Sequence, residues 1–397
     1  MAMVSGPRVF FDIIGVFQAT TLIKDAKAQM AVVESIMLDS VDGVRQSLMG
    51  IGEVVNEITS ELLPLAISLS EATIEFEKFA GQNKALAAEI IDTGAAFGFT
   101  AEEALKAGAR MAQLSAVVGE AATAAATELG QQFALISGMN TEQAMTRMIN
   151  LQQQTGFMYG ELTNKQFRLL SAENQRATVM GNTLETLDQL NTVENKSAAT
   201  MKQITFVMNQ FAAQAHQTGE SIAYMAAMSA TLIEAGEEQG KAGRALRMIY
   251  ARLGSNIQNN NDLLDDFGIK THDATGALRP MSQIVTELAD IFPNLTNQQQ
   301  QNIVQTVAGN DHYVRFVKLI NNAGRMTELA TEAIENQSSA QEEVNRVTED
   351  ASTKYKEAIS DLEHLKAKMG IGMLPVMTDF VRFQIRINES FMALSTI

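Results

Sequence analysis

The sequence lacks cysteine and tryptophan altogether, although it is 397 residues long. Without cysteine, the chain has no disulfide framework, no cysteine zinc site and no thiol nucleophile. Proline is scarce, with five residues, and aromatic residues make up only 6% of the chain. Because scarce proline and scarce aromatic side chains favour helix, the composition predicts a mainly helical protein.

Positive charge is also in short supply, because 30 lysines and arginines face 46 aspartates and glutamates. The formal net charge of −16 excludes a general attraction to phosphate backbones. We therefore expect no specific nucleic-acid binding. Hydrophobic residues make up 46% of the chain, which is ample for a packed core and excludes wholesale disorder.

Long hydrophobic runs are absent as well. The strongest apolar run, 9–17, is about nine residues long and contains Asp12, whereas a membrane-spanning helix needs ~20 apolar residues. Residues 1–6 lack the basic region and apolar core of a secretory signal. We expect a soluble chain made in a reducing cytoplasm. Residues 380–397 are amphipathic and end without a stop signal, so we expect a longer parent chain.

Helical periodicity dominates what the sequence does contain. Only 8–17, rich in β-branched and aromatic residues, predicts a short strand. Further helices carry explicit start signals. Thr100 and Glu103 fit a capping box, Asn140 is a second cap, and residues 218–221 open a third helix.

After Gly324 the apolar positions step by three or four residues as far as Met369, without an intervening proline or glycine. A helix of that length would extend ~65–70 Å, and its heptad-like spacing predicts one long helix or a coiled coil. The alternative is two ordinary helices with a break near Ser338 and Ser339.

These patterns divide the chain into three parts. Residues 1–69 form an N-terminal segment with a short strand followed by helices. Residues 70–324 form a domain of short and medium helices. Residues 325–397 begin an extended region of long helix or coiled coil. The predicted fold class is therefore mainly α.

Candidate metal sites are weak in this sequence. None of the four histidines lies within four residues of another, which excludes a His-x-x-x-His metal pair. Asp311 and His312 form the most site-like cluster, but a helix cap beside a surface histidine explains it better. The acidic stretch 262–266 lacks the alternating ligands of a calcium-binding loop. We predict no metal and no cofactor.

Catalytic motifs are missing too, since neither a P-loop nor a Gly-x-Ser-x-Gly elbow occurs. The stretch 236–243 resembles a phosphate loop only superficially, because no serine or threonine follows Lys241. Glu342 and Glu343 lie on the predicted long helix and face water. The sequence therefore predicts a structural or interaction protein, not an enzyme. A basic face at Arg244, Arg247 and Arg252 predicts an acidic neighbouring helix as its partner.

One run of residues is more specific than its composition. An alanine-rich helix at 219–236 ends in glycine, and 240–254 carries a Gly-x-Ala-Leu helix. A Gly-Ile pair at 268–269, an Asp-x-x-Gly turn, a short helix and a closing glycine follow within 273–309.

This order resembles the conserved helical domain of phage tail tape measure proteins. The clear resemblance covers about 217–322, and a weaker one covers about 90–215. Ala308 departs from the pattern, which has phenylalanine before the closing glycine. The motif positions are Gly219, Gly236, Gly243, Ala245, Leu246, Leu253, Gly254, Gly268, Asp273, Gly276, Pro280 and Gly309.

The roles expected at these positions are structural. Gly236 and Gly254 suit the left-handed conformation at helix C-termini. Gly243, with Ala242 and Ala245, allows close approach of a neighbouring helix. The residues from Asp273 to Gly276 fit an aspartate-initiated turn, and Pro280 suits a helix start. The resemblance therefore implies a function without a catalytic site.

The function implied by the resemblance is architectural. Several copies, as a trimer, would lie in the lumen of the tail tube of the virion, set its length during assembly and leave it at infection. The implied partners are tail tube protein, a tail assembly chaperone, baseplate or tail tip proteins and, at infection, the host membrane. The chain would be the N-terminal portion of such a protein, made in the host cytoplasm. The alternatives are an injected or secreted helical effector that inserts into membranes, and a fragment of a tail-associated peptidoglycan hydrolase.

Overall fold

The computed structural model describes residues 63–113, 122–255 and 263–350, and then 353–354, 356–364, 366–367 and 371. Over these residues the chain is helical, and its β structure is limited to an isolated bridge between His272 and Leu278. The predicted mainly α class is confirmed. The strand predicted at 8–17 lies outside the described residues.

The helices are numbered here in chain order. Their bounds are α1 Leu63–Ala80, α2 Lys84–Ala96, α3 Ala101–Ala112, α4 Thr123–Ser137, α5 Thr141–Thr155, α6 Asn164–Arg168, α7 Ala172–Lys196, α8 Met201–Met208, α9 Ala212–Gln217, α10 Ile222–Glu234, α11 Gln239–Ser255, α12 Met281–Ile291, α13 Asn297–Ala308, α14 Tyr313–Asn321, α15 Ala323–Glu335 and α16 Ser339–Glu349. Short 3₁₀ turns lie at Phe157–Tyr159, Phe292–Asn294 and Asn310–His312.

The helix starts predicted from local sequence are confirmed. The Thr100 amide donates to the Glu103 carboxylate at 2.9 Å, and the Glu103 amide donates back to the Thr100 hydroxyl at 3.2 Å. Asn140 accepts from the amide of Gln143 at 2.8 Å and so caps α5. Ser221 caps α10 in the same way. Each cap satisfies an amide that the first helical turn leaves without a partner.

A large core joins the helices from α3 to α16, and α7, α10 and α15 pack against one another within it. Almost every residue of α10 between Ala223 and Leu232 is buried. A helix that is apolar on all sides belongs inside a protein. Because most of these side chains are alanine or another small residue, neighbouring helices can approach α10 closely.

A smaller core lies between α1, α2 and α3. Its central aromatic residue is Phe76, which is fully buried. Helix α3 contributes to both cores. Leu105 and Ala104 face the small core, whereas Ala107 and Met111 face the large one. Through α3 the two cores are joined by a single helix with two apolar faces.

The long unbroken helix predicted after Gly324 is wrong, and the alternative break is confirmed. Helix α15 ends before α16 begins, and Ser338 between them has a left-handed φ of 79°. Asp188 of α7 accepts from the amides of Ser338 at 3.0 Å and of Ala340 at 2.7 Å. Asn191 donates to the carbonyl and the hydroxyl of Ser339. These contacts from a distant helix hold the break.

The periodicity of the predicted long helix is accounted for in part by this packing. Leu329, Ala330 and Ala333 of α15 and Ala340 of α16 belong to the large core, and Val344 of α16 is also buried. Both helices pack on α7. The three-part division of the chain stays a prediction. No helix within the described ranges is long and apolar enough to cross a membrane.

Candidate functional site around Glu220

The site is built where α12 begins. Pro280 occupies the position before the first helical residue, with φ −50° and ψ 133°, and it offers no side-chain cap. The first amides of any helix lack partners within the helix. Helix α12 therefore needs an acceptor from another part of the chain.

Glu220, between α9 and α10, supplies that acceptor. One carboxylate oxygen, Oε2, accepts from the Ser282 amide at 3.0 Å and from the Tyr250 hydroxyl at 2.9 Å. The other, Oε1, accepts from the Ser282 hydroxyl at 2.6 Å. Gly219, with a φ of +74°, turns the chain into this position. A single carboxylate thus links α10, α11 and α12.

The Glu220 carboxylate is nearly inaccessible, with 4% of the residue exposed. Burial raises its pKa, and the hydrogen bonds from Ser282 and Tyr250 oppose that rise. Burial and the adjacent carboxylate raise the pKa of Tyr250 well above its ordinary value. No lysine or arginine in the described part of the chain forms an ion pair with Glu220, so its charge is stabilised by hydrogen bonds and by the N-terminus of α12.

A cleft of about 590 Å³ opens beside this junction. Its lining includes Tyr224, Thr286, Thr327, Ile334, and the ion pair between Arg279 and Glu287. The Arg279 guanidinium lies 2.5 Å from the Glu287 carboxylate, so its charge already has an ion-pair partner within the chain. A second cleft of about 850 Å³, around His272 and Asp273, shares the same ion pair.

The arrangement can fix helices but does not assemble a reaction centre. Both oxygens of Glu220 accept hydrogen bonds, and Glu287 is paired. Within the described residues no group of three or more histidine, aspartate or glutamate side chains could hold a metal ion. His312, beside Asp311, lies near Arg315, Arg252 and Arg244, and burial together with these cations lowers its pKa.

The structure places the motif positions on α11 and in the segments between α9 and α10, between α10 and α11, between α11 and α12, and after α13. Ala245, Leu246 and Leu253 are fully buried along α11. Gly236 has a φ of +82° after α10, as its expected role requires. Gly254 is different, because it lies within α11 and has no positive φ, so the left-handed conformation expected there is wrong.

Two further glycines lie where another backbone or side chain comes close. A Cβ on Gly243 would lie 2.6 Å from the Gln210 side chain, which follows α8. A Cβ on Gly309 would lie 2.7 Å from the Arg252 guanidinium, and Gly309 also has a φ of +72°. Glycine at these positions lets α11 approach α8 and lets Arg252 cover the backbone after α13.

The turn that begins at Asp273 leads into the site. The Gly276 amide donates to the Asp273 carbonyl at 3.1 Å, and the Asp273 carboxylate accepts from the amides of Thr275 and Ala277. The Thr275 hydroxyl also donates to this carboxylate. Its hydrogen bond makes the largest contribution to holding the pKa of Asp273 below its usual range, and the hydrogen bonds from the amides lower the pKa further. Gly276 has a φ of +83° and Gly268 a φ of +76°.

Reasoning from sequence missed Glu220, Tyr250 and Ser282. The available signal was Pro280, since a proline at a helix start leaves the first turn without a side-chain cap. That signal says that an acceptor is needed but not which residue provides it.

The acidic partner helix predicted for the basic face at Arg244, Arg247 and Arg252 stays a prediction. Arg244 and Arg247 are exposed on α11, and no carboxylate in the described ranges lies within ion-pair distance of either. Nearby, Arg315 and Lys318 of α14 instead bind Glu237, at 2.7 Å and 2.6 Å.

Comparisons with known proteins bear on the region that contains this junction. A model of the family described as phage-related minor tail protein matches residues 170–309, which include Glu220, Tyr250 and Ser282. A protein of Escherichia phage P2 named "Probable tape measure protein" is 30% identical over 126 residues. That match covers 31% of this chain and 16% of the relative. No solved structure matches. The resemblance to tail tape measure proteins is confirmed.

Proposed function

We propose that this chain is a structural protein of a phage tail and acts there as a tape measure. It sets the length of the tail tube during assembly and is released from the tube at infection. The observation that carries the proposal is the match of residues 170–309 to the phage-related minor tail protein family. The relative from phage P2 supports the same role.

The contacts at the Glu220 junction and at the motif glycines support a role without catalysis. Glu220 connects three helices, and Gly309 gives room to Arg252. Such contacts stabilise a shape and leave no free nucleophile or base at the junction. We therefore propose a non-enzymatic function, in which the helical domain provides a fixed end from which an extended region of the parent protein continues.

The proposed location is the lumen of the tail tube, with several copies, as a trimer, surrounded by tail tube protein. Baseplate or tail tip proteins would hold one end. The net charge of −16 disfavours binding to the DNA that later occupies the same channel. Large apolar side chains are exposed at Ile67 and Ile74 of α1, which is the kind of surface a tail assembly chaperone would cover before assembly.

Tail length in phage particles tests the proposal. Deletions and insertions of equal size would be made in frame after residue 371 of the phage's full-length protein, since α15 and α16 belong to the packed helices. If the altered region is helical, tails should shorten or lengthen by about 1.5 Å per residue. Electron microscopy measures the lengths.

A variant with a scrambled segment of the same length is the control, and it should keep the normal tail length. Unchanged length in both the deletion and the insertion variants would contradict the tape measure role.

A further inference from the structure

Helix α11 turns one side outward, and that side is called its outer face here. Lys241, Arg244 and Arg247 are exposed on it, as are Met248 and Ala251. With about 3.6 residues per turn, these five positions lie on one side of the helix. The opposite side belongs to the large core through Ala242, Leu246, Ile249, Tyr250 and Leu253. The outer face therefore carries three cations and two apolar side chains, and α11 contains no acidic residue.

The described part of the chain supplies no ion-pair partner to these three cations. None of its carboxylates lies within ion-pair distance of Lys241, Arg244 or Arg247. Glu237 and Glu238 come just before α11, but both have other partners. Glu237 binds two cations of α14, and the Glu238 carboxylate accepts from a backbone amide of the first turn of α11 at 2.8 Å. The charges of the outer face therefore stay available to a ligand.

Further positive charge lies beside the C-terminal half of the outer face. The Arg252 guanidinium covers the backbone at Gly309. Arg315 of α14 donates to a backbone carbonyl of the preceding turn at 3.0 Å. His312 lies between these groups, and burial together with Arg315, Arg252 and Arg244 lowers its pKa. The positive charge thus continues from the outer face of α11 to the start of α14.

Charge complementarity favours an acidic protein segment as the ligand of the outer face. Met248, which is 38% exposed, and Ala251 lie between the cations and offer the apolar contact that protein partners use. The face extends only about 15 Å from Lys241 to Ala251, so a nucleic acid would reach beyond it onto a chain of net charge −16. A membrane is disfavoured because α11 buries its main apolar side in the large core.

We propose that the outer face of α11 docks an acidic helical segment of another protein. Carboxylates three or four residues apart on that segment would pair with Lys241, Arg244 and Arg247, and its apolar residues would cover Met248. A segment of about ten residues is long enough to cover the face. Because exposed ion pairs contribute little affinity one by one, the face mainly selects an acidic partner and speeds its encounter. This docking surface goes beyond the proposed function and does not depend on the measurement of tail length.

Fluorescence anisotropy with a labelled peptide and the full chain tests the docking surface. The probe is a helical peptide of about 15 residues, with glutamates every three or four positions and alanine and leucine between them. Arg244→Glu with Arg247→Glu should weaken binding by about tenfold or more at low salt. Lys84→Glu with Lys165→Glu is the matched control, because it changes the net charge equally at exposed positions of α2 and α6, neither of which packs extensively on α11. It should bind within about twofold of the parent chain.

A second probe and an uncharged variant test the specificity of the face. The same peptide with lysine in place of glutamate should bind the variant Arg244→Glu with Arg247→Glu more tightly than it binds the parent chain. Met248→Ala leaves the charge unchanged and should weaken binding of the glutamate peptide by about threefold, because it removes apolar contact area. Circular dichroism and urea unfolding verify that each variant stays folded, as expected for substitutions at exposed positions.

Absence of binding to the glutamate peptide at low salt overturns the proposal, as do equal losses of affinity in the two charge-reversal pairs. Duplex DNA or anionic vesicles that bind more tightly than the peptide, and are released by Arg244→Glu with Arg247→Glu, assign the face to another class of ligand and also overturn it. Self-association that is lost in the same variant, measured by sedimentation, has the same consequence. Tail lengths of the deletion phages test the tape measure role alone, so the two proposals fail separately.

Discussion

Helices α12 and α16 begin without a side-chain cap of their own, and a distant acid caps each of them. Glu220 reaches α12 across 62 residues of sequence, and Asp188 reaches α16 across 152. Pro280 cannot cap because it has no suitable side chain, and Ser338 does not cap because its backbone is left-handed. In both helices a tertiary contact supplies the hydrogen-bond acceptor that the amides of the first turn lack.

The two junctions differ in burial and strain. Glu220 is almost fully buried and its helix starts in a conformation that suits proline. Asp188 is half-buried, and Ser338 is the only residue other than glycine with a positive φ in the described ranges. We infer that the Glu220 junction is a fixed connection and that the α15–α16 break can be released at lower free-energy cost.

The largest effect is expected at the buried junction. Glu220→Ala leaves the Ser282 amide and the Tyr250 hydroxyl without their acceptor and should lower the free energy of unfolding by about 3 kcal/mol. Glu220→Gln keeps an acceptor oxygen and should lose much less. Urea unfolding followed by circular dichroism measures both. Similar losses of stability in the two variants would show that the hydrogen bonds to Glu220 do not stabilise this junction.

The pH dependence of stability should report the burial of Glu220. Folding raises the pKa of Glu220 above its ordinary value of 4.5, so the folded state binds this proton more tightly than the unfolded state does. Its contribution to stability is present below pH 4.5 and is lost as pH rises through the folded pKa.

Glu220→Gln cannot titrate, so its urea midpoint relative to that of the parent chain should rise as the pH is raised above about 4.5. A constant difference for Glu220→Gln at every pH would contradict the role of burial.

A smaller effect is expected at the helix break. Asp188→Ala removes the acceptor of the Ser338 and Ala340 amides and should cost about 1 kcal/mol, as the loss of a helix cap does. Hydrogen exchange of residues 338–342 should accelerate. Glu185→Ala, one turn away on the exposed face of α7, should change neither quantity. Equal effects would refute the capping role.

The smallest effect is a gain in stability. Ser338→Gly relieves the left-handed backbone and should raise the free energy of unfolding by about 0.5–1 kcal/mol. Ser339→Gly should act in the opposite direction, because Ser339 is helical and its hydroxyl accepts from Asn191 at 2.7 Å. A loss of stability in Ser338→Gly would show that this residue is not strained.

Structure that depends on neighbouring residues is predictable from this sequence, whereas structure that depends on contacts between distant residues is not. Thr100 and Glu103 are three residues apart, and their capping box was predicted as it is found. The break after α15 could only be left as an alternative, because Asp188 and Asn191, which hold it, lie about 150 residues earlier. Gly254 shows the same limit of local sequence, because it suggested a helix end in the left-handed conformation, whereas α11 includes it and reaches Ser255.

The sequence by itself determined the helical class, the helix caps, the turn at 273–276 and the resemblance to tape measure proteins. Each depends on composition or on residues a few positions apart, whose geometry the local backbone dictates. Only the tertiary structure decided that Glu220 caps α12 and that the periodicity after Gly324 breaks at Ser338. Those outcomes depend on buried partners that come from distant parts of the chain. The number of residues between such partners does not determine how far apart they lie in the folded protein.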